Sequence, residues 1–210
     1  MFKFTCALVA ALAAAGAAHA DIQLTATLTN GAETIPINPT LSNGFTPRPA
    51  SFGTATFVLN DAMSAMTFSA TIFNIDFTGT QTADTFDNLV AAHIHASPTV
   101  TPTTTAGVVW GFFGAPLNDV APNDVVFTAF ATGVGGTISG KWDLLEGNGG
   151  TTLTAQLPNI LTGHSYINFH TTQFGGGEVR GTIVAVPEPE TYALMLAGLG
   201  AVFLARRRRA

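Results

Sequence analysis

The sequence predicts an all-β fold, an antiparallel Greek-key-like sandwich or barrel with a C-terminal hydrophobic helix. Three observations carry that expectation. Residues 21–184 are rich in Thr, Val, Phe, Ile and Gly and poor in Lys and Glu, the profile of pleated, half-buried strands. Almost no stretch there repeats its apolar residues at helical spacing. Turn sequences punctuate the short apolar runs: Asn30-Gly31, Ser42-Asn43-Gly44, Asn60-Asp61, Pro116 to Asp119, Gly147 to Gly150 and Gly175 to Gly177.

In chain order the expected strands are 22–29, 51–59, 65–73, 89–95, 107–113, 125–130, 137–140, 165–171 and 178–184. Alternation assigns their faces. In 51–59, Phe52, Thr54, Thr56 and Val58 share one side, and Ala55, Phe57 and Leu59 the other. In 165–171, Ile167 and Phe169 point to a core while Tyr166, Asn168 and His170 point away from it. Glu178 and Arg180 lie together, opposite Val179, Gly181 and Ile183. Residues 151–161 read as a short helix or an irregular segment, limited by Pro158. Residues 31–49 and the low-complexity run 97–105 read as exposed loops, the latter mobile. Trp110, Phe112 and Phe113 belong to the core, and Asp84 and Asp87 read as solvated.

Both ends carry processing signals. Lys3, the apolar run 7–18 and Ala18-His19-Ala20 form a signal peptide, 1–20, for signal peptidase. Cys6, the sole cysteine, lies inside it, so residues 21–210 have no disulfide, thiol nucleophile or Cys-based metal site. The β domain is expected over 21–185 and a sorting tail over 186–210. In that tail Pro187-Glu188-Pro189 precedes an apolar run, 192–205, and then Arg206, Arg207, Arg208 and Arg209. The arginines stay cytoplasmic by the positive-inside bias, which places the β domain outside. Fourteen apolar residues reach only ~21 Å against a ~30 Å hydrocarbon core, a transient anchor rather than a permanent one. Between the two ends only Arg48, Lys141 and Arg180 oppose eleven carboxylates, a net charge of −8. Nucleic acid is therefore not an expected partner.

The ordered Pro-Glu-Pro, short span and basic cluster resemble the PEP-CTERM sorting signal. That resemblance implies recognition by an exosortase, a membrane-embedded cysteine enzyme of Gram-negative bacteria that make exopolysaccharide. The chain would be held transiently at the inner membrane, then reach the cell surface, the matrix or the medium. Exopolysaccharide or another surface protein is then the expected partner.

Ala92-His93-Ile94-His95, Asn168-Phe169-His170-Thr171 and Gly177-Glu178-Val179-Arg180-Gly181, after an opening strand with Gly31 and Glu33, resemble the CHRD domain first recognised in chordin. The resemblance implies an extracellular β domain; with no convincing catalytic set in the sequence, the domain is expected to act in binding or structure and not as an enzyme. The chain departs from the pattern where 97–105 replaces the closely spaced glycines that usually follow His-x-His.

His93 and His95, two apart on a strand, project to one side, and His170 stands on another strand's polar side. Two readings stay open. The three imidazoles, with Asn168, Glu178 and Arg180, form a hydrogen-bonded polar seam needing no cofactor. Alternatively, His93, His95 and His170 hold one zinc or copper ion. His-x-His and Gly-x-Arg also resemble copper/zinc superoxide dismutase, but the ligands for a dinuclear centre and the disulfide cysteines are missing. No Gly-x-Ser-x-Gly elbow or EF-hand spacing occurs.

Overall fold

Period-2 alternation of small, β-branched and aromatic residues builds the sheet strand by strand. The computed structural model describes residues 20–119, 122–187, 196–199 and 206–207. Ten strands form: β1 (Ile22–Thr29), β2 (Phe52–Leu59), β3 (Ala65–Phe73), β4 (Leu89–Ala96), β5 (Val108–Phe113), β6 (Val126–Ala129), β7 (Gly135–Asp143), β8 (Ser165–Thr171), β9 (Val179–Thr182) and β10 (Val184–Ala185). An α-helix, α1 (Leu153–Leu161), precedes β8. Thr152 caps it by accepting a hydrogen bond from the Ala155 amide at 3.3 Å, and Pro158 sits within its last turns. The open choice over 151–161 is thus resolved as a helix.

The strands make a single antiparallel sheet in the order β5-β4-β8-β9-β1-β2-β3-β7-β6, with β10 also on β1. The all-β antiparallel expectation holds, and its form is a curled half-barrel. The curl brings the two edge strands together: Phe113 of β5 meets Phe127 of β6 edge-on at 5.5 Å. Inside the curl, Ala55, Phe57 and Leu59 of β2 are at most 1% exposed, the face that alternation assigns to them. Trp110 of β5 stacks on Trp142 of β7 at 5.4 Å. Phe68 of β3 packs on Phe112 at 4.7 Å. Such aromatic pairs add ~0.5–1.5 kcal/mol each beyond the area they bury. They tie strands that are distant in the sheet.

Four local features differ from expectation. The stretch 178–184 splits: β9 pairs with β8, and β10 moves to β1. β7 begins earlier than 137 because Gly135 and Gly136 serve as strand residues, where a Cβ on Gly136 would meet Phe77 and Thr128. Asp87 is 5% exposed and not solvated; Thr82 donates its hydroxyl to that carboxylate. The run 97–105 is largely exposed as expected, but not at Val100, which is 3% exposed, and Arg180 donates to the Thr101 carbonyl at 2.9 Å.

Most of the expected signal peptide and the residues Glu188, Pro189, Arg208 and Arg209 lie outside the described residues. The expected 192–205 span is described only over 196–199, which are helical. Among the described residues no helix is long and apolar enough to cross a membrane. The domain's last backbone tie runs from the Val186 amide to the Gln23 carbonyl at 2.8 Å, and Pro187 follows it, exposed.

Candidate metal centre

Pairing of β4 with β8 assembles the site. Ile94 and Ile167 face each other in the core, so His93 and His95 emerge on the opposite side, across from Asn168 and Tyr166. His170, two residues beyond Asn168, joins them diagonally. Opposite the His-x-His, β5 carries two register shifts, between Ala92 and His93 and between Ile94 and His95. Bulges of this kind re-aim side chains. Gly111, paired with His93, leaves the room: a Cβ there would collide with the Leu117 carbonyl and lie 3.1 Å from the His93 ring.

The ligand nitrogens of His93, His95 and His170 lie within 4.8 Å of one another, and all three residues are buried. His93 Nδ1 stands 3.2 Å from His170 Nε2, close to the ~3.3 Å edge of a tetrahedron with ~2.0–2.1 Å zinc–nitrogen bonds. His170 Nδ1 is 3.0 Å from the Gly175 carbonyl, and His95 Nδ1 is 2.9 Å from the Ala106 carbonyl. A carbonyl only accepts, so both rings carry their proton on Nδ1 and turn a bare Nε2 inward. His95 Nε2 is buried with no partner. Burial holds all three imidazoles in the neutral, ligating form. His93 is lowered to about 3 by burial and then by His170 and His95. His95 is lowered to about 4, first by burial, against the Ala106 bond. His170 is lowered by burial, against its bond to Gly175.

The polar face of β8 is covered, which its alternation alone does not show. The Tyr166 ring lies parallel to His95 at 4.7 Å, and the Arg180 guanidinium sits 3.6 Å over the same ring. Tyr166 also accepts from the Ala106 amide at 3.2 Å. Loop 97–106 is thereby pinned over the histidines.

The structure brings His93, His95, His170, Asn168 and Arg180 onto one side, but it separates Glu178 from them. Arg48 donates to both Glu178 oxygens, at 2.7 and 2.5 Å, with Thr171 at 2.6 Å and Ser51 completing the set. The expected pairing of Glu178 with histidine or asparagine donors is not made, because Arg48 reaches it first from the long 31–51 connection. His164 is elsewhere, bonded to Thr162. Sequence reading missed Arg48, Tyr166 and the two carbonyls. Only Tyr166, in phase with Asn168 and His170, left a signal.

Comparison with protein families matches residues 24–183 to the CHRD domain. The chain belongs to the CHRD domain family. Residues 185–209 match the PEP-CTERM protein-sorting motif, which implies exosortase processing and targets the chain for export to the cell surface. No curated protein and no solved structure matches. Neither CHRD nor PEP-CTERM is an enzyme family. The three histidines, Asn168, Glu178 and Arg180 all fall within the CHRD match, and Pro187 to Arg209 within the sorting motif.

Proposed function

We propose that this is an exosortase-sorted surface or matrix protein whose CHRD domain works by binding, not turnover, and holds one zinc or copper ion on His93, His95 and His170. One observation carries the metal reading. Three neutral imidazoles converge, two of them oriented by backbone carbonyls, and the inward nitrogen of one has no partner. His93 Nδ1 and His170 Nε2 can pair with each other, but His95 Nε2 beside them has no partner, which favours an ion over a seam built only for hydrogen bonding. Imidazole nitrogens select zinc or copper over calcium or magnesium, which take oxygen. The sorting motif supports the location, with signal peptidase and exosortase as processing partners. It also supports exopolysaccharide as a surface partner, together with the exposed, stacked pair Phe52 and Phe73 at 4.8 Å.

Elemental analysis of the processed, tag-free protein tests the metal reading. About one equivalent of zinc or copper is expected, lost in His93→Ala. Metal-free protein that takes up neither ion, or uptake unchanged in His93→Ala, overturns it.

A further inference from the structure

Four buried polar atoms on neighbouring residues have no partner: Asn168 Oδ1, Arg180 Nη1, Glu33 Oε1 and Asn30 Oδ1. The sheet register explains their proximity. His93, Asn168 and Arg180 stand in one row across β4, β8 and β9, and Arg180 pairs with Thr29 of β1, the residue before Asn30. Gly177 lets the row meet Glu33. A Cβ there would lie 2.7 Å from Asn168 Oδ1 and 2.8 Å from Glu33 Oε1, at a backbone φ of 125° that side chains avoid.

Asn30 and Glu33 also line a groove of about 470 Å³ bounded by Gly31 and the 34–37 segment. Native domains leave few buried polar atoms unpaired, and those few call for water or a ligand. Here Glu33 of the groove and Asn168 beside His93 approach the same point at Gly177. Among the described residues no fourth His, Cys, Asp or Glu joins the three imidazoles. A tetrahedral ion held by three protein ligands keeps an open position. Arg180 is one of three basic residues in 21–186, and one of its donors is engaged with Thr101 while Nη1 is not.

We propose that the ion's fourth position takes a small exogenous anion, held by Asn168 and Arg180. This rests on the metal reading and deepens it. Asn168 supplies the amide, which can turn its nitrogen toward an anion or its oxygen toward a bound water. Arg180 supplies the positive charge and a charge-assisted donor.

The test uses the processed protein loaded with cobalt(II), whose visible absorption reports coordination, with azide as the probe anion. Cobalt uptake with a saturable, azide-dependent change of the visible bands is expected. Asn168→Ala and Arg180→Gln should each weaken azide by about tenfold while cobalt affinity stays within about twofold. Circular dichroism confirms that both variants are folded, and Asn168→Ala serves alone if Arg180→Gln is not. Cobalt uptake without any response to azide overturns the open position and leaves the metal reading standing. An azide response of equal affinity in wild type and Asn168→Ala overturns the assigned subsite. Failure to bind cobalt overturns both.

Discussion

Glu178 and Arg180 are two residues apart, both buried and both charged, yet their surroundings are opposite. Glu178 is 0% exposed, and each of its oxygens accepts two hydrogen bonds, from Arg48, Ser51 and Thr171. Arg180 is 2% exposed, gives one hydrogen bond to Thr101 and leaves Nη1 unpaired. Its neighbours Asn168 and His95 also keep unpaired atoms. A buried charge with every lone pair satisfied holds structure together. Here Glu178 fastens the 31–51 connection to the end of β8. A buried group with unpaired atoms is costly for the fold by itself. On the reading proposed above, a bound ion and its anion are what pair these atoms.

The largest effect that would sharpen this contrast is at the satisfied cluster. Arg48→Ala leaves Glu178 buried without its counter-ion, which costs ~3–5 kcal/mol. At ~2–4 °C per kcal/mol for a domain of this size, the melting temperature should fall by roughly 10 °C. Metal content should not change, since Arg48 touches none of the histidines. Thermal unfolding with elemental analysis of the same samples checks both. A melting temperature within 2 °C of wild type would break the comparison.

A smaller effect belongs to the unsatisfied side. Burial lowers His93 to about 3 and His95 to about 4, against ~6.5 in the unfolded chain. Between these values the unfolded chain binds protons that the folded metal-free domain does not, so stability falls as pH falls. The histidines' contribution is complete above about pH 6.5 and is lost progressively toward pH 3. In urea unfolding of metal-free protein the histidines should contribute a loss of about 2–4 kcal/mol from pH 7 to pH 5, set against the opposite contribution of Glu33 and Glu146, whose carboxyls burial raises to about 7. His93→Gln should remove roughly half of that slope, and saturating zinc at pH 7 should raise the midpoint. An equal pH dependence in wild type and His93→Gln would mean that the histidines are accessible and not held neutral by burial.

How much of this was legible beforehand follows from chain distance. Strands β1, β3 and β8 end where composition and turns place them, because those signals are local. So do the faces of β2 and the inward Ile167 and Phe169. The candidate site was legible as residue types: His-x-His on one strand and an Asn-x-His on another. Its geometry was not, because it depends on the β4–β8 register, which sets His170 diagonally across from His93, 77 positions apart. The capture of Glu178 by Arg48, across 130 positions, left no periodic trace. The same holds for the Gly175 and Ala106 carbonyls, since a backbone oxygen has no letter in the sequence. The low-complexity run 97–105 looked mobile because its threonines are indifferent to structure. Its contacts come from groups elsewhere, Arg180 at Thr101 and Tyr166 and His95 at the adjoining Ala106.

The smallest expected effect is the most discriminating. Asn168 is 2% exposed and sits at the centre of the row, where an ordinary structural asparagine would fix the strands through its amide. Its Oδ1 has no partner, so truncation breaks no acceptor bond and removes an unpaired group. Asn168→Ala in the metal-free domain should therefore change unfolding free energy by no more than about 0.5 kcal/mol, the loss of packing being offset by the relief of that oxygen. Azide binding to the cobalt form should fall in the same variant, so stability and ligand affinity separate at one residue. A destabilisation above about 2 kcal/mol would show that the amide is bonded through buried water in solution. Asn168 would then belong with Glu178, as part of the structure and not of the binding site.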